Sequence, residues 1–284
     1  MAAVRRLPVL RTLGETGKPW NRADKLTLGL GIGTLVLAAL GLWQTYSNNN
    51  KKPALRVAAV SAAAVQNIDA QDLDQDGRVI APNPDGVPGD RVDITVVNSG
   101  SGEALISRAD LEFSVATRLA RCREVGGEVQ IAANYDVKVP APWGDPFGYE
   151  SLRTPFVVER EMRFVVAPGK HERFTLTVGP ETIPEMSMPW LYSFTLTLRH
   201  DNGAKLEVGK VSMLGIGGQT GAVYAEDGSP VGPGSPSERD CLRNNLKAVR
   251  MHQLAATGIR SEALKDYSDE LANYAEDVGL TWPK

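Results

Sequence analysis

The most persistent pattern along the chain is an alternation of apolar and polar positions. Val92, Ile94 and Val96 alternate with Asp93 and Thr95 and stop at Asn98-Ser99-Gly100. Ala109, Leu111, Phe113 and Val115 alternate with Asp110, Glu112 and Ser114. Val129, Ile131, Ala133, Tyr135 and Val137 repeat the pattern, as do Phe174, Leu176 and Val178 after Pro168-Gly169. A period of two sends alternate side chains to opposite faces of a strand. The clearest hairpin joins 192–199 to 205–211. Tyr192, Phe194, Leu196 and Leu198 share one side, and Asp201-Asn202-Gly203 supplies the positive φ angles of a tight turn. With further strands near 54–60 and 156–166, about eight short strands without helical pattern predict an antiparallel β-sandwich over 54–216.

Beyond residue 216 the period changes. Residues 217–236 (GGQTGAVYAEDGSPVGPGSP) are rich in Gly, Pro and Ser and read as a linker or long loop. Ser237 with Asp240 starts a helix that runs to Gly258, and Ser261 caps a second one ending at Gly279. Leu264, Tyr267, Leu271, Tyr274 and Val278 form one apolar stripe on the second. An α-hairpin over 237–279, packed on itself or on the sandwich, is expected.

Near the N-terminus the pattern is neither. Leu26 to Trp43 carries no charge, and continuation to Tyr46 gives about 20 residues, enough for a helix to cross a ~30 Å hydrocarbon core. Trp20 lies before the run, while Trp43 and Tyr46 close it, as aromatic interfacial belts do. The organisation predicted is a basic tail at 1–25, a transmembrane helix at 26–46 and a polar spacer at 47–53. A cleaved signal peptide, with Ala39-Leu40-Gly41 as its small-residue site, is the main rival, and a buried core helix the lesser one. Gly29 and Gly33 are spaced to let two such helices approach closely as a homodimer, though glycine is common in membrane spans.

Charge adds a direction. The net charge of −3 divides unevenly: residues 1–50 hold six Lys/Arg and two Asp/Glu, the remainder 25 and 32. Arg5, Arg6, Arg11, Lys18, Arg22 and Lys25 precede the run, and only Lys51, Lys52 and Arg56 follow it closely. Cytoplasmic flanks carry the surplus of Lys and Arg, so the N-terminus is expected in the cytoplasm and the larger domain outside the cell membrane. An acidic outer domain argues against nucleic acid as a partner, because phosphate neutralisation needs Lys and Arg.

The texture DRVDITVVNSGSGEALISRADLEF, followed by APGKHERFTLTV, resembles the immunoglobulin-like ectodomains of bacterial single-pass membrane proteins. In those, one strand ends in an Asn-Ser/Thr-Gly turn and a Pro-Gly turn leads into a later core strand. The resemblance spans about 90–215 and implies a fold rather than an activity. The second cysteine and the mid-strand tryptophan of antibody domains are missing from the sandwich.

Candidate chemistry is sparse. Asp72, Asp74, Asp76 and Gly77 in DLDQDG match the opening of a calcium loop, where carboxylates at alternate positions converge on a hard cation. Its twelfth position is Asn83 rather than Glu, and Pro82, Pro84 and Pro88 preclude an exiting helix. The two readings are a weak calcium site and a solvated acidic loop, and no other cofactor is suggested. Cys122 and Cys241 form an even pair that oxidises outside the cytoplasm, tying the helical tail to the sandwich, or remain two buried thiols. Trp143, Phe147 and Tyr149 lie in an aromatic, Gly/Pro-rich loop suited to ligand contact or to plugging the sandwich end. His171, His200 and His252 are isolated, and the sequence lacks nucleophile-elbow, Walker and CxxC motifs.

The expectation is a non-enzymatic, membrane-anchored interaction or scaffold protein whose outer domain contacts an envelope protein. The rivals are an envelope enzyme with an unrecognised site, and a signalling protein with a cytoplasmic partner at Arg5–Arg22.

Overall fold

Strand periodicity and helical periodicity separate in space as they do along the chain. The computed structural model describes residues 51–284, except 75, 123–129, 141–149, 185–187, 216–228 and 284. The expected span at 26–46, with Gly29 and Gly33, and the loop of Trp143, Phe147 and Tyr149 lie outside the described residues. Among those described, no helix is long and apolar enough to cross a membrane.

The fold is mainly β, with two sheets packed in sandwich fashion and a C-terminal helical pair. β1 (Leu55–Leu73) and β2 (Val79–Asn98) make a long antiparallel hairpin. β3 (Ala104–Arg118), β4 (Gln130–Ala133), β5 (Val137–Val139), β6 (Glu150–Ser151), β7 (Phe156–Val166) and β8 (His171–Pro180) follow. Then come β9 (Thr182–Pro184), β10 (Trp190–His200), β11 (Ala204–Gly215), α1 (Pro236–Ala255), β12 (Ile259–Arg260) and α2 (Glu262–Asp277). One sheet runs β5-β8-β2-β1-β4-β9, and the other β12-β11-β10-β3, with β6 and β7 both on the outer edge of β3.

The alternating apolar positions meet between the sheets. Val92, Ile94 and Val96 come from one sheet, and Leu111, Phe113, Phe194 and Leu196 from the other, all without exposed surface. Phe113 packs against Phe156 and Phe194 with ring centroids 4.9 and 5.0 Å apart. Each such side chain contributes about 1.5–3 kcal/mol on burial, so these strands drive the collapse. At the expected turn, Asp201, Asn202 and Gly203 all take positive φ.

Two expectations are corrected. The sandwich is not purely antiparallel: β5 runs parallel to β8, and β12 parallel to β11. Nor are the first strands short. The segment expected near 54–60 extends to Leu73, and its partner begins at Val79. Irregular register at Val57/Ala59, Val65/Ile68 and Ile68/Ala70 breaks the alternation that would have revealed it. The prolines at 82, 84 and 88 sit where β2 has left β8, so the outer edge there needs no donor.

Asn98, expected only as a turn residue, is wholly buried. Its Oδ1 accepts from Ala54 N and Gly100 N, both at 3.0 Å, and its Nδ2 donates to Gly102 O at 2.7 Å and Val166 O at 2.9 Å. One side chain thereby joins the start of β1, the β2–β3 turn and the end of β7.

The helices follow their caps. Ser235 accepts from Glu238 N with Pro236 in the first turn, and Ser261 accepts from Leu264 N at 3.2 Å. Gly279, at φ 66°, ends α2, and Leu280 N donates back to Ala275 O at 2.7 Å. Their buried stripes do not merely face each other. Leu242, Leu246, Val249, Leu264 and Leu271 share a second core with Leu119, just past β3, and with Leu191 of β10 and Leu214 of β11. That end of the sheet is covered on both faces, and Trp190 to Phe194 is accordingly an unbroken buried run. The described part of the expected linker is held too: Tyr274 donates its hydroxyl to Val231 O at 2.9 Å.

Candidate functional site

The junction of the helical pair with the sheets is where buried polar groups gather. Cys241, in the second turn of α1, is disulfide-bonded to Cys122, with Cα atoms 5.5 Å apart across 119 residues of sequence. One helical turn on, the carboxamide of Asn245 accepts from Ala120 N at 2.9 Å and donates to Ala120 O at 2.7 Å. It occupies the backbone bonds that a neighbouring strand would have taken. At the other end of α1, β12 adds to β11, and Ser261 N donates to Ser212 O at 2.9 Å. Ser212 in turn shares a 2.6 Å hydroxyl contact with Ser193 of β10.

Asp90 is the chemically unusual member. It has no exposed surface, and burial raises its carboxyl to about 7. The Ser261 hydroxyl and the Leu214 backbone pull it down only in part. Tyr135 stands beside it, its phenol pushed up first by burial and then by the Asp90 charge. That hydroxyl donates to Pro88 O at 3.2 Å. The ring fits because Gly89 and Gly179 lack side chains: a Cβ on Gly179 would fall 2.2 Å from the ring Cζ. His252, buried on α1, is lowered to about 4 by burial first and by the Lys210 charge second, so it is neutral at pH 7.

Outside this cluster lies a groove of about 530 Å³ between β1 and the α1–α2 connection, lined by Val60, Ala62, Gln253, Ser261, Glu262 and Lys265. Ser261 lines this groove and is among the groups that act on Asp90. A second groove of about 540 Å³ runs along α1 past Ala120, Asn244, Lys247, Ala248 and Met251. Met251 is 55 % exposed there, and Leu254 nearby is 53 % exposed.

The acidic loop forms the tip of the β1–β2 hairpin. Asp74 Oδ1 accepts from Asp76 N at 3.0 Å and Arg78 N at 2.8 Å, closing the β1–β2 hairpin. Asp72 Oδ1 accepts from Asn83 Nδ2 at 3.2 Å, and Asp76 faces Arg78 at 3.7 Å. The three carboxylates serve the turn and do not converge, because a strand pair rather than a helix leaves the loop. Among the described residues, no three His, Cys, Asp or Glu side chains are grouped to hold a metal ion.

Asp90 lies outside the alternation read from the sequence, which begins at Val92, although it has the same parity. It shares the even register of Val92, Ile94 and Val96, which points inward, whereas Asp93 takes the odd one. Asp93 is satisfied by Arg173, whose Nε and Nη2 each lie 2.8 Å from its two oxygens, and this pairing holds its carboxyl below the usual range. Nothing in the local sequence points to Asn245.

Fold and site together define a sandwich-like β domain with a docked helical pair. No protein-family model matches the chain, and no curated protein matches it. Among solved structures the chain is similar to a crystal structure of a Bordetella pertussis protein designated ApaA, at 14 % identity. The match covers 60 % of this chain and 98 % of that one with a TM-score of 0.20, a likeness that carries no argument.

Proposed function

We propose that the chain is a single-pass membrane protein with a cytoplasmic N-terminus and an anchor at 26–46. It presents an immunoglobulin-like sandwich outside the membrane as a non-enzymatic interaction module for an envelope protein. The observation that carries this reading is the Cys122–Cys241 disulfide, since such bonds persist in oxidising compartments. It agrees with the direction set by Arg5, Arg6, Arg11, Lys18, Arg22 and Lys25 before the uncharged run. The turns at Asn98–Gly100 and Pro168–Gly169 fit the immunoglobulin-like resemblance. Within the anchor, Gly29 and Gly33 would be the contact for a second copy.

The contact surface we assign to the envelope partner is the outer groove of α1. Met251 is a flexible, polarisable side chain suited to apolar recognition, and Lys247 and Asn244 supply a polar rim. Neither groove at the junction holds a pair of carboxylates for acid–base work. Cross-linking in intact membranes, followed by capture under mild detergent, tests the assignment. The parent chain should recover a partner that Met251→Asp with Leu254→Asp loses. Equal recovery by both, or none by the parent, would count against it.

A further inference from the structure

One edge of the sandwich carries unused backbone. β7 pairs with β3 alone, so among the described residues no strand bonds the N–H and C=O groups on its other side. The register with β3 shifts between Ile106 and Arg108, yet the alternation along β7 itself runs unbroken. Phe156, Val158, Met162 and Phe164 pack against the core, and Val157, Glu159, Glu161, Arg163 and Val165 take the outer face.

That outer row is symmetric about Glu161. Glu159 and Arg163 stand two positions to either side of it with opposite charges. Val157 and Val165 stand four positions to either side and are 54 % and 52 % exposed. Leu105, directly opposite Val165 on β3 and 43 % exposed, lengthens the apolar end. Arg163 forms no ion pair among the described residues.

We infer that β7 pairs antiparallel with β7 of a second copy of this chain, about a two-fold axis at Glu161. In that register Val157 opposes the partner's Val165, and Glu159 opposes the partner's Arg163. A two-fold contact makes each pairing twice. Glu161 meets its own copy, which is the one like-charged contact of the row. Arg108 lies directly opposite Glu161 on β3, so the central row runs Arg108, Glu161, Glu161, Arg108 and is neutral. Arg108 also donates to Glu159 Oε2 at 2.8 Å, and Arg160 is drawn aside toward Asp136 at 3.8 Å. Moving the axis to Arg160 or Met162 would set a valine of each copy against a charged side chain, so the sequence favours the register centred on Glu161. The contact lies in the folded domain, apart from Gly29 and Gly33, and does not rest on the reading of 26–46 as an anchor.

Directly opposed residues of an antiparallel pair stand about 4.5–5.5 Å apart, within the span that a disulfide bridges. Cys122 and Cys241 are bonded to each other, so a cysteine placed in the full chain is its one free thiol. Cells expressing the full chain with Glu161→Cys are oxidised with copper phenanthroline, and the products are separated without reductant. A disulfide-linked dimer should dominate, while Lys265→Cys, at an exposed site on α2, should give several-fold less. Adding Glu159→Arg to Glu161→Cys should cut the dimer yield several-fold, and adding Arg163→Glu as well should restore it. Rescue by the double exchange separates loss of the contact from loss of the fold. Equal yields at positions 161 and 265, cross-linking of Glu161→Cys to a different polypeptide or to none, or failure of the double exchange to rescue, would each overturn the inference.

Discussion

The Asn245 carboxamide closes two hydrogen bonds on the backbone of a single residue, Ala120, at 2.9 and 2.7 Å. A helix thus borrows the bonding pattern of a strand, and the helical pair becomes a third layer of the domain.

Removing that contact leaves a half-buried N–H and C=O on Ala120 without partners. Asn245→Ala should therefore cost about 2–4 kcal/mol, the desolvation of two groups. Asn245→Asp should cost at least as much, because it replaces the donor to Ala120 O with a negative oxygen. Urea unfolding of the detergent-solubilised full chain measures both.

The disulfide acts on the same docking through the unfolded chain. Closing a loop of 119 residues corresponds to about 4–5 kcal/mol in the chain-entropy account. Cys122→Ser with Cys241→Ser should lower the urea midpoint accordingly. Adding a reductant should lower the parent's midpoint toward that of the variant and leave the variant unchanged.

Asp90 and His252 give the domain opposing pH dependences. Asp90 titrates near 7 when folded and near 3.8 when unfolded, so the folded state binds the extra proton between those values. Its contribution therefore falls as pH rises through that window. His252 titrates near 4 folded against 6.5 unfolded, so the unfolded state binds the extra proton and stability rises with pH from about 4 to 6.5. Between those limits the two largely offset each other. The stability of Asp90→Asn relative to the parent should rise by about 3–4 kcal/mol from pH 4 to pH 7. A pH-independent difference between the two chains would show that Asp90 does not titrate as described.

At the hairpin tip, Asp74 holds the turn through the Asp76 and Arg78 amides. Asp74→Ala should cost about 0.5–1.5 kcal/mol, the range for an exposed turn contact. Millimolar calcium should leave the melting temperature of the parent unchanged, since Asp72, Asp74 and Asp76 do not converge. A calcium-dependent rise that Asp74→Ala abolishes would restore the ion-site reading.

Most core strands were legible because one face of each is buried, as in Val92-Ile94-Val96 and Phe194-Leu196-Leu198. The second helix was legible through Ser261, Gly279 and the Leu264–Tyr274 stripe, whereas the first is capped by Ser235 rather than starting at Ser237 and ends at Ala255, before Gly258. The length of β1 and β2 was not, because irregular register and prolines erase the alternation while backbone pairing continues. The junction was legible only in pieces. Asp90 shares the parity of Val92 but precedes the alternation that begins there, and the groups that act on it, Ser261 and Leu214, lie far along the chain. Asn245 reads as an ordinary helical polar residue until Ala120 is brought beside it.

The account as a whole turns on a membrane-anchored chain whose domain folds in an oxidising compartment. Cells expressing the full chain, quenched in acid and fractionated with an alkaline wash, provide the measurement. Mass spectrometry after alkylation, with and without prior reduction, reads the state of Cys122 and Cys241. The account predicts that the chain stays in the washed membrane fraction and that both thiols alkylate only after reduction. A chain released into the soluble fraction, or thiols that alkylate without reduction, would contradict it.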